Sequence, residues 1–202
     1  MSSPTVICNM ALGHLGVGKE IAALTTENSQ EARSCRRFYE MARDSVLEAY
    51  PWPFATKRVT LGLIEADPND EWGYSYTYPS DCVAMRRILS GIRDDSVDTR
   101  TPYKIEKNGT AKVIYTDKED AILEYTYRNT ATEEYSAQFM LCLSLRIAAY
   151  IAPSITAGDP FKVGERALKL YHYELGVARM NAGNEESPDP TQPEAESIRA
   201  RE

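Results

Sequence analysis

At 202 residues and 43% apolar content, the chain has enough material to bury a proper core, either as one domain or as one domain with a large insertion. Its formal net charge of −7 is unevenly divided: residues 184–202 hold six acids against two bases (−4), which leaves 24 against 21 (−3) on residues 1–183. A nearly neutral body with no basic stripe argues against sequence-reading nucleic-acid recognition, while a protein that merely surrounds DNA without gripping it stays open.

Ser3 followed by Pro4 is an N-cap hydroxyl with proline at the first helical position, predicting a short helix through about Leu12 that Gly13 ends. Asn28 with Glu31 three residues on resembles a capping box and opens a longer helix to about Tyr50, where Pro51 stops it. Within it Ala32, Cys35, Tyr39, Ala42, Val46 and Ala49 recur at steps of 3 and 4, and Phe38 and Leu47 widen the stripe. Small residues on that face allow the close approach of a helical bundle.

Over residues 56–128 the period drops to two. Val59, Leu61 and Leu63 alternate, as do Tyr74, Tyr76 and Tyr78, and Tyr103 with Ile105 faces Val113 and Tyr115. Asn108-Gly109 supplies the positive φ angles of a two-residue type I′ turn, and a further strand is expected at 121–127. Helical periodicity returns over 135–152, apolar on nearly every side and therefore central, with Pro153 ending it. The core of that stretch, 139–152, is interrupted by Ser144 and Arg146 and reads as a buried helix too short for a bilayer span. Asp159-Pro160 repeats the cap-plus-proline signal and starts a last helix through Phe161, Ala167, Leu168, Tyr171, Leu175 and Ala178 to Gly183.

These elements predict an α+β protein, mainly an α four-helix bundle built from residues 1–55 and 132–183, with an antiparallel β insertion at 56–131. Residues 184–202 complete it as an extended C-terminal arm. Three prolines, six acids and a single large apolar residue, Ile198, cannot bury enough surface there to offset the entropy of ordering. Fully extended, the arm spans roughly 60 Å at about 3.3 Å per residue, which exceeds a domain of this size.

Chemistry is sparse. The segment Gly13-His-Leu-Gly-Val-Gly-Lys19-Glu20 matches a P-loop until its last position, where Glu20 replaces the magnesium-binding hydroxyl, and it follows a helix instead of a strand. Glycines that end helix one explain it. Neither His14 nor His172 has a cysteine or carboxylate at metal-ligand spacing, so no metal and no cofactor are expected. Cys8, Cys35, Cys82 and Cys142 lie far apart among apolar neighbours and read as free thiols of a reducing compartment. Residues 1–10 lack the basic start and apolar run of a secretory signal. No G-x-S-x-G elbow exists. Glu40, Asp44 and Glu48 share a helix face, the pattern a peptidoglycan hydrolase would need, with Glu48 as first candidate acid. Interleaved Arg36, Arg37 and Arg43 also fit a solvated, ion-paired surface. Trp52, Phe54, Trp72, Tyr74, Tyr76 and Tyr78 gather around the junction of helix and sheet as core or as subunit contact.

From Pro51-Trp52-x-Phe54-Ala55, directly after Ala42-Arg43-Asp44-x-x-Leu47, the chain resembles the head-to-tail adaptor proteins of short-tailed bacteriophages, the tail tubular protein A family. Ile7-Cys8-Asn9-x-Ala11-Leu12-x-x-Leu15-Gly16 is similar to that family's opening, and Ser29-x-x-Ala32-x-x-Cys35-x-x-x-Tyr39 to its second helix. Tyr78-Pro79-x-Asp81-Cys82 resembles its central sheet and Leu143-x-Leu145-x-x-Ala148-Ala149 its buried third helix. The resemblance, over about residues 5–180, implies a non-enzymatic homo-oligomeric ring, usually of twelve copies, between portal protein and tail nozzle protein in the virion. Double-stranded DNA would pass through its centre without sequence-specific contact, with assembly in the host cytoplasm and no membrane partner. Family C-terminal segments tend to touch the portal, which assigns Ile198, Arg199 and Arg201 to the portal or a neighbouring subunit. A virion-associated peptidoglycan hydrolase and a monomeric effector are the alternatives.

Overall fold

The computed structural model describes residues 3–92, 99–156 and 159–185, with 182–185 described by backbone alone. Four helices form one layer. In α1 (Pro4–His14) the Ser3 hydroxyl accepts the Val6 N–H at 3.2 Å, as the cap signal predicts. The helix outruns its expected end at Leu12. Gly13 stays helical, and the left-handed turn falls at Gly16, where φ is 73° and the Val17 N–H closes on the Leu12 carbonyl at 3.0 Å.

Ser29, not Asn28, caps α2 (Gln30–Ala49): its hydroxyl accepts the Ala32 N–H at 3.2 Å. Asn28 instead accepts Arg33 at 3.4 Å, and Glu31 pairs with Lys19 at 2.9 Å in place of the reciprocal box contact. The central helix α3 (Ala137–Ile155) is capped by Ser136 and carries Pro153 inside it, so proline does not end it. At 19 residues α3 is, by length and composition, apolar enough to cross a membrane, which corrects the shorter span read from sequence. Here α1, α2 and α4 pack around it, and Phe139, Leu143, Ile147 and Ile151 are buried among them. Asp159 Oδ1 accepts the Lys162 N–H at 3.1 Å and starts α4 (Pro160–Glu185), which continues past Gly183. A Cβ on Gly164 would meet Ala152 Cβ at 3.3 Å and the Ala149 carbonyl at 3.4 Å, so glycine sets the α3–α4 approach.

The remaining chain forms β1 (Thr56–Thr60), β2 (Leu63–Asn69), β3 (Trp72–Thr77), β4 (Cys82–Ile88), β5 (Lys104–Asn108), β6 (Ala111–Thr116) and β7 (Ile122–Tyr127). They make two antiparallel sheets, ordered β1-β7-β4 and β2-β3-β6-β5. This overturns the predicted mainly α four-helix bundle with one inserted sheet. The protein is mixed α and β, because the strands bury a core of their own: Tyr76 and Ile114 from one sheet meet Ile88, Leu123 and Tyr125 from the other, with Leu61 and Ala121. Val59, Leu61 and Leu63 do not share a strand. The chain leaves one sheet after Thr60 and joins the other at Leu63, with Leu61 buried between and Val59 and Leu63 exposed.

The β5–β6 turn is also shifted by one residue. Asn108 pairs with Ala111, so the loop is Gly109-Thr110, with positive φ (60°) at Gly109 alone. That is the pattern of type II′ and not of the predicted type I′.

Candidate interaction site at the helix–sheet junction

A helix leaves its last four carbonyls without intrahelical partners, and at the end of α2 the fold supplies all four from elsewhere. Trp52 Nε1 donates to the Val46 carbonyl at 2.8 Å, Arg86 Nη2 to those of Leu47 and Glu48 at 3.0 Å each, and Arg179 Nη2 to that of Ala49 at 3.0 Å. These donors come from the loop after α2, from β4 and from α4. One helix terminus therefore ties both layers together, and two guanidinium charges sit at the negative end of its dipole. Burial holds the Arg86 guanidinium below its ordinary range, and its Nε donates to Thr126 Oγ1 at 2.8 Å. Nearby, Asp44 accepts Arg43 and Arg128 on its two oxygens at 2.9 Å each, pinning α2 to the end of β7.

The tight path Tyr50-Pro-Trp-Pro-Phe brings aromatic rings to this junction. Trp52 is only 3% exposed and stands edge-on to Phe139 at 5.1 Å. Phe54 lies 5.0 Å from Phe139 and 5.5 Å from Tyr135, whose hydroxyl donates to the Asn129 carbonyl at 2.9 Å. Burial pushes the Tyr135 phenol up to about 12. The aromatic group read from sequence is thus divided. Trp52 and Phe54 belong to the helical core, Tyr76 with flanking Tyr74 and Tyr78 to the β core, and Trp72 lies beside Asp67, Asp70 and Glu71.

A cleft of about 350 Å³ opens at the junction, lined by Tyr50, Trp52, Pro53 and Phe54, by Gln138 near the start of α3, and by Ala178 and Asn181 of α4. Glu134 and Ser136 complete the lining. A second surface lies along α4. Ala167, Tyr171, Leu175 and Ala178 are buried, whereas Leu170 (41% exposed), Tyr173 (67%) and Met180 (64%) follow one another at helical spacing on the opposite face.

Neither the family models nor the curated proteins contain a match to this chain.

Of the residues singled out by sequence, Ile198, Arg199 and Arg201 lie outside the described residues. Glu40 and Glu48 are exposed on α2, while Asp44 between them has both oxygens on arginines. The arginine reading needs correcting too. Arg36 holds the Leu24 and Glu27 carbonyls at 2.6 and 2.7 Å, and Arg43 is buried. Lys19 of the glycine-rich segment pairs with Glu31, and Asn9 clasps the backbone of Ile21 at 2.9 and 3.0 Å, so the loop packs on the helices. All four cysteines are free thiols. Cys8 and Cys35 face one another, and their hydrogen bond together with burial pushes the Cys8 thiol up. His14 Nε2 lies 3.0 Å from Ser144 Oγ, and burial lowers its pKa. Among the described residues no group of three His, Cys, Asp or Glu side chains is placed to hold a metal ion.

Arg86 and Arg179 escaped the sequence reading. The one available signal was Arg86 in the run Val83-Ala84-Met85-Arg86-Arg87-Ile88, where alternation puts one of two adjacent arginines on the inward face of a strand.

Proposed function

We propose that the protein is a structural head-to-tail adaptor, assembling as a ring between the portal protein and the tail nozzle protein of a short-tailed phage virion and letting DNA pass through its centre. The observation that carries this reading is α4, whose exposed face carries large apolar side chains among its charged ones. Its inner face packs on α3, and its outer face presents Leu170, Tyr173 and Met180 to the surrounding solvent. Large apolar side chains spaced along an exposed helix mark a surface made to be covered by another molecule. The ordered series of family-like segments supports the choice of molecule, and the nearly neutral body suits a channel along which DNA slides.

The test mixes the purified chain with the portal ring of the same phage and examines the mixture by negative-stain microscopy. A ring of this protein seated on the portal is expected, and the Tyr173→Ser, Met180→Ser double variant should keep its far-UV circular dichroism while losing the ring. Portal rings that stay bare at every mixing ratio overturn the proposal.

A further inference from the structure

The cleft at the junction combines three aromatic residues, Tyr50, Trp52 and Phe54, with Pro53 and the amide of Asn181. Tyr50 meets Trp52 edge-on at 5.2 Å, and Trp52 is tilted to Phe54 at 6.2 Å, so the rings pack on one another into a continuous aromatic wall. Aromatic-lined grooves take polyproline II segments, whose proline rings pack against the aromatic wall and whose stiff backbone loses little entropy on docking. This chain carries such a segment. Pro188, Pro190 and Pro193 fall within seven residues, Ser-Pro-Asp-Pro-Thr-Gln-Pro over 187–193, and the last two stand at Pro-x-x-Pro spacing.

We infer that residues 188–193 of one copy dock in the aromatic cleft of a neighbouring copy. The inference rests on the adaptor reading only in naming a neighbouring copy as donor. Where α4 ends decides between a chain's own cleft and its neighbour's. Ala178 and Asn181 line the cleft, and α4 continues to Glu185, about 6 Å beyond Asn181 at roughly 1.5 Å per residue. Entry into its own cleft requires the chain to reverse between Glu185 and Pro188. Proline at 188 disfavours helical backbone at Ser187, and only Glu186 and Ser187 separate the end of α4 from the first proline. In the polyproline II form that the cleft would take, residues 188–193 span about 19 Å over six residues at roughly 3.1 Å each. Glu185, Glu186 and Asp189 accompany the prolines, and Arg179 reaches the Ala49 carbonyl beside Tyr50. Glu134, an acid in the lining, is held by Asn129 Nδ2 at 2.6 Å.

The test uses the full chain with Trp72→Phe, so that Trp52 alone reports, and with Pro190→Ala and Pro193→Ala, so that its own segment does not compete. A synthetic peptide of residues 184–202 should shift Trp52 fluorescence saturably. A peptide with both prolines replaced by alanine should bind at least tenfold more weakly, and Asn181→Glu in the receptor should weaken the wild-type peptide to a similar extent. A flat titration, or equal binding of both peptides, overturns the docking. The donor is identified with a bifunctional maleimide: linkage between a Pro53→Cys chain and a separate Asp189→Cys chain supports docking between copies. Linkage only within a chain bearing both substitutions overturns it in favour of the chain's own cleft. If the peptide binds and the chains cross-link but no ring forms on the portal, the cleft assignment stands and the adaptor reading falls.

Discussion

Replacing Arg86 by methionine tests the junction most economically. The substitution keeps an apolar stem of similar length and removes three hydrogen bonds: 3.0 Å to each of the Leu47 and Glu48 carbonyls and 2.8 Å to Thr126 Oγ1. A bond from a charged donor is worth about 1.5–3 kcal/mol when well buried. At this half-buried position about 0.7 kcal/mol each is the fitting figure, for a total loss of about 2–3 kcal/mol once a helix-dipole contribution of about 0.5 kcal/mol is added. With a urea slope of about 2 kcal/mol/M, the unfolding midpoint should fall by about 1 M. Arg86→Lys keeps the charge but not the fork that reaches two carbonyls and a hydroxyl together, so it should land between wild type and Arg86→Met. Urea titrations followed in parallel by circular dichroism and by tryptophan fluorescence make the measurement, and the two probes should stay coincident. A midpoint shift below about 0.25 M for Arg86→Met would refute the view that this side chain joins the layers.

Three further outcomes follow from the same geometry. Glu124 on β7 takes Arg58 of β1 at 2.6 Å and Arg87 of β4 at 3.1 Å, and although burial alone would raise its pKa, the two arginines outweigh it and hold the carboxyl below the ordinary range. A depressed folded pKa adds stability that is complete above the unfolded value near 4.5 and lost as pH falls through the folded one. Glu124→Gln should therefore cost about 1 kcal/mol at neutral pH, and the gap should narrow as pH falls below 4.5; a gap that is constant with pH contradicts this. At the β5–β6 turn, Gly109→Val should cost about 1–2 kcal/mol because φ there is positive, while Asn108→Val, in the strand, should change stability by less than about 0.5 kcal/mol. Equal costs at the two positions, measured by thermal denaturation, would restore the type I′ assignment. Trp52→Phe removes the bond to the Val46 carbonyl and leaves a small cavity where the larger indole packed on Phe139, with an expected loss of about 2–3 kcal/mol in urea unfolding; a loss below about 0.5 kcal/mol contradicts a structural role for the indole.

Local signals carried much of the fold. The caps at Ser3 and Asp159 are visible because a hydroxyl or carboxylate followed by proline has one favoured use. Between Asn28 and Ser29 the sequence offers two cap-competent neighbours, and Arg33, by taking the Asn28 oxygen, accompanies the choice of Ser29. Alternation revealed strands but not which sheet each joins, since pairing is a non-local decision; residues 59–63 hold one alternation across two sheets. Pro153 marks a stop by propensity, since it lacks an N–H for the Ala149 carbonyl and its ring crowds that carbonyl, yet α3 extends to Ile155. The site was legible in its rings and illegible in its geometry. Trp52 and Phe54 stand out in sequence, whereas Arg86 lies 39 and 38 residues from its carbonyl partners and Arg179 lies 130 residues from Ala49.

Light scattering on the chain alone and again with an equal-subunit mixture of its portal ring puts the adaptor assignment to its most direct trial. Whatever the free chain does, the mixture should yield one discrete species heavier than the portal by a whole number of 22.7 kDa copies, twelve if the family resemblance holds. A mixture that elutes as unchanged portal and unchanged 22.7 kDa chain at every concentration contradicts it.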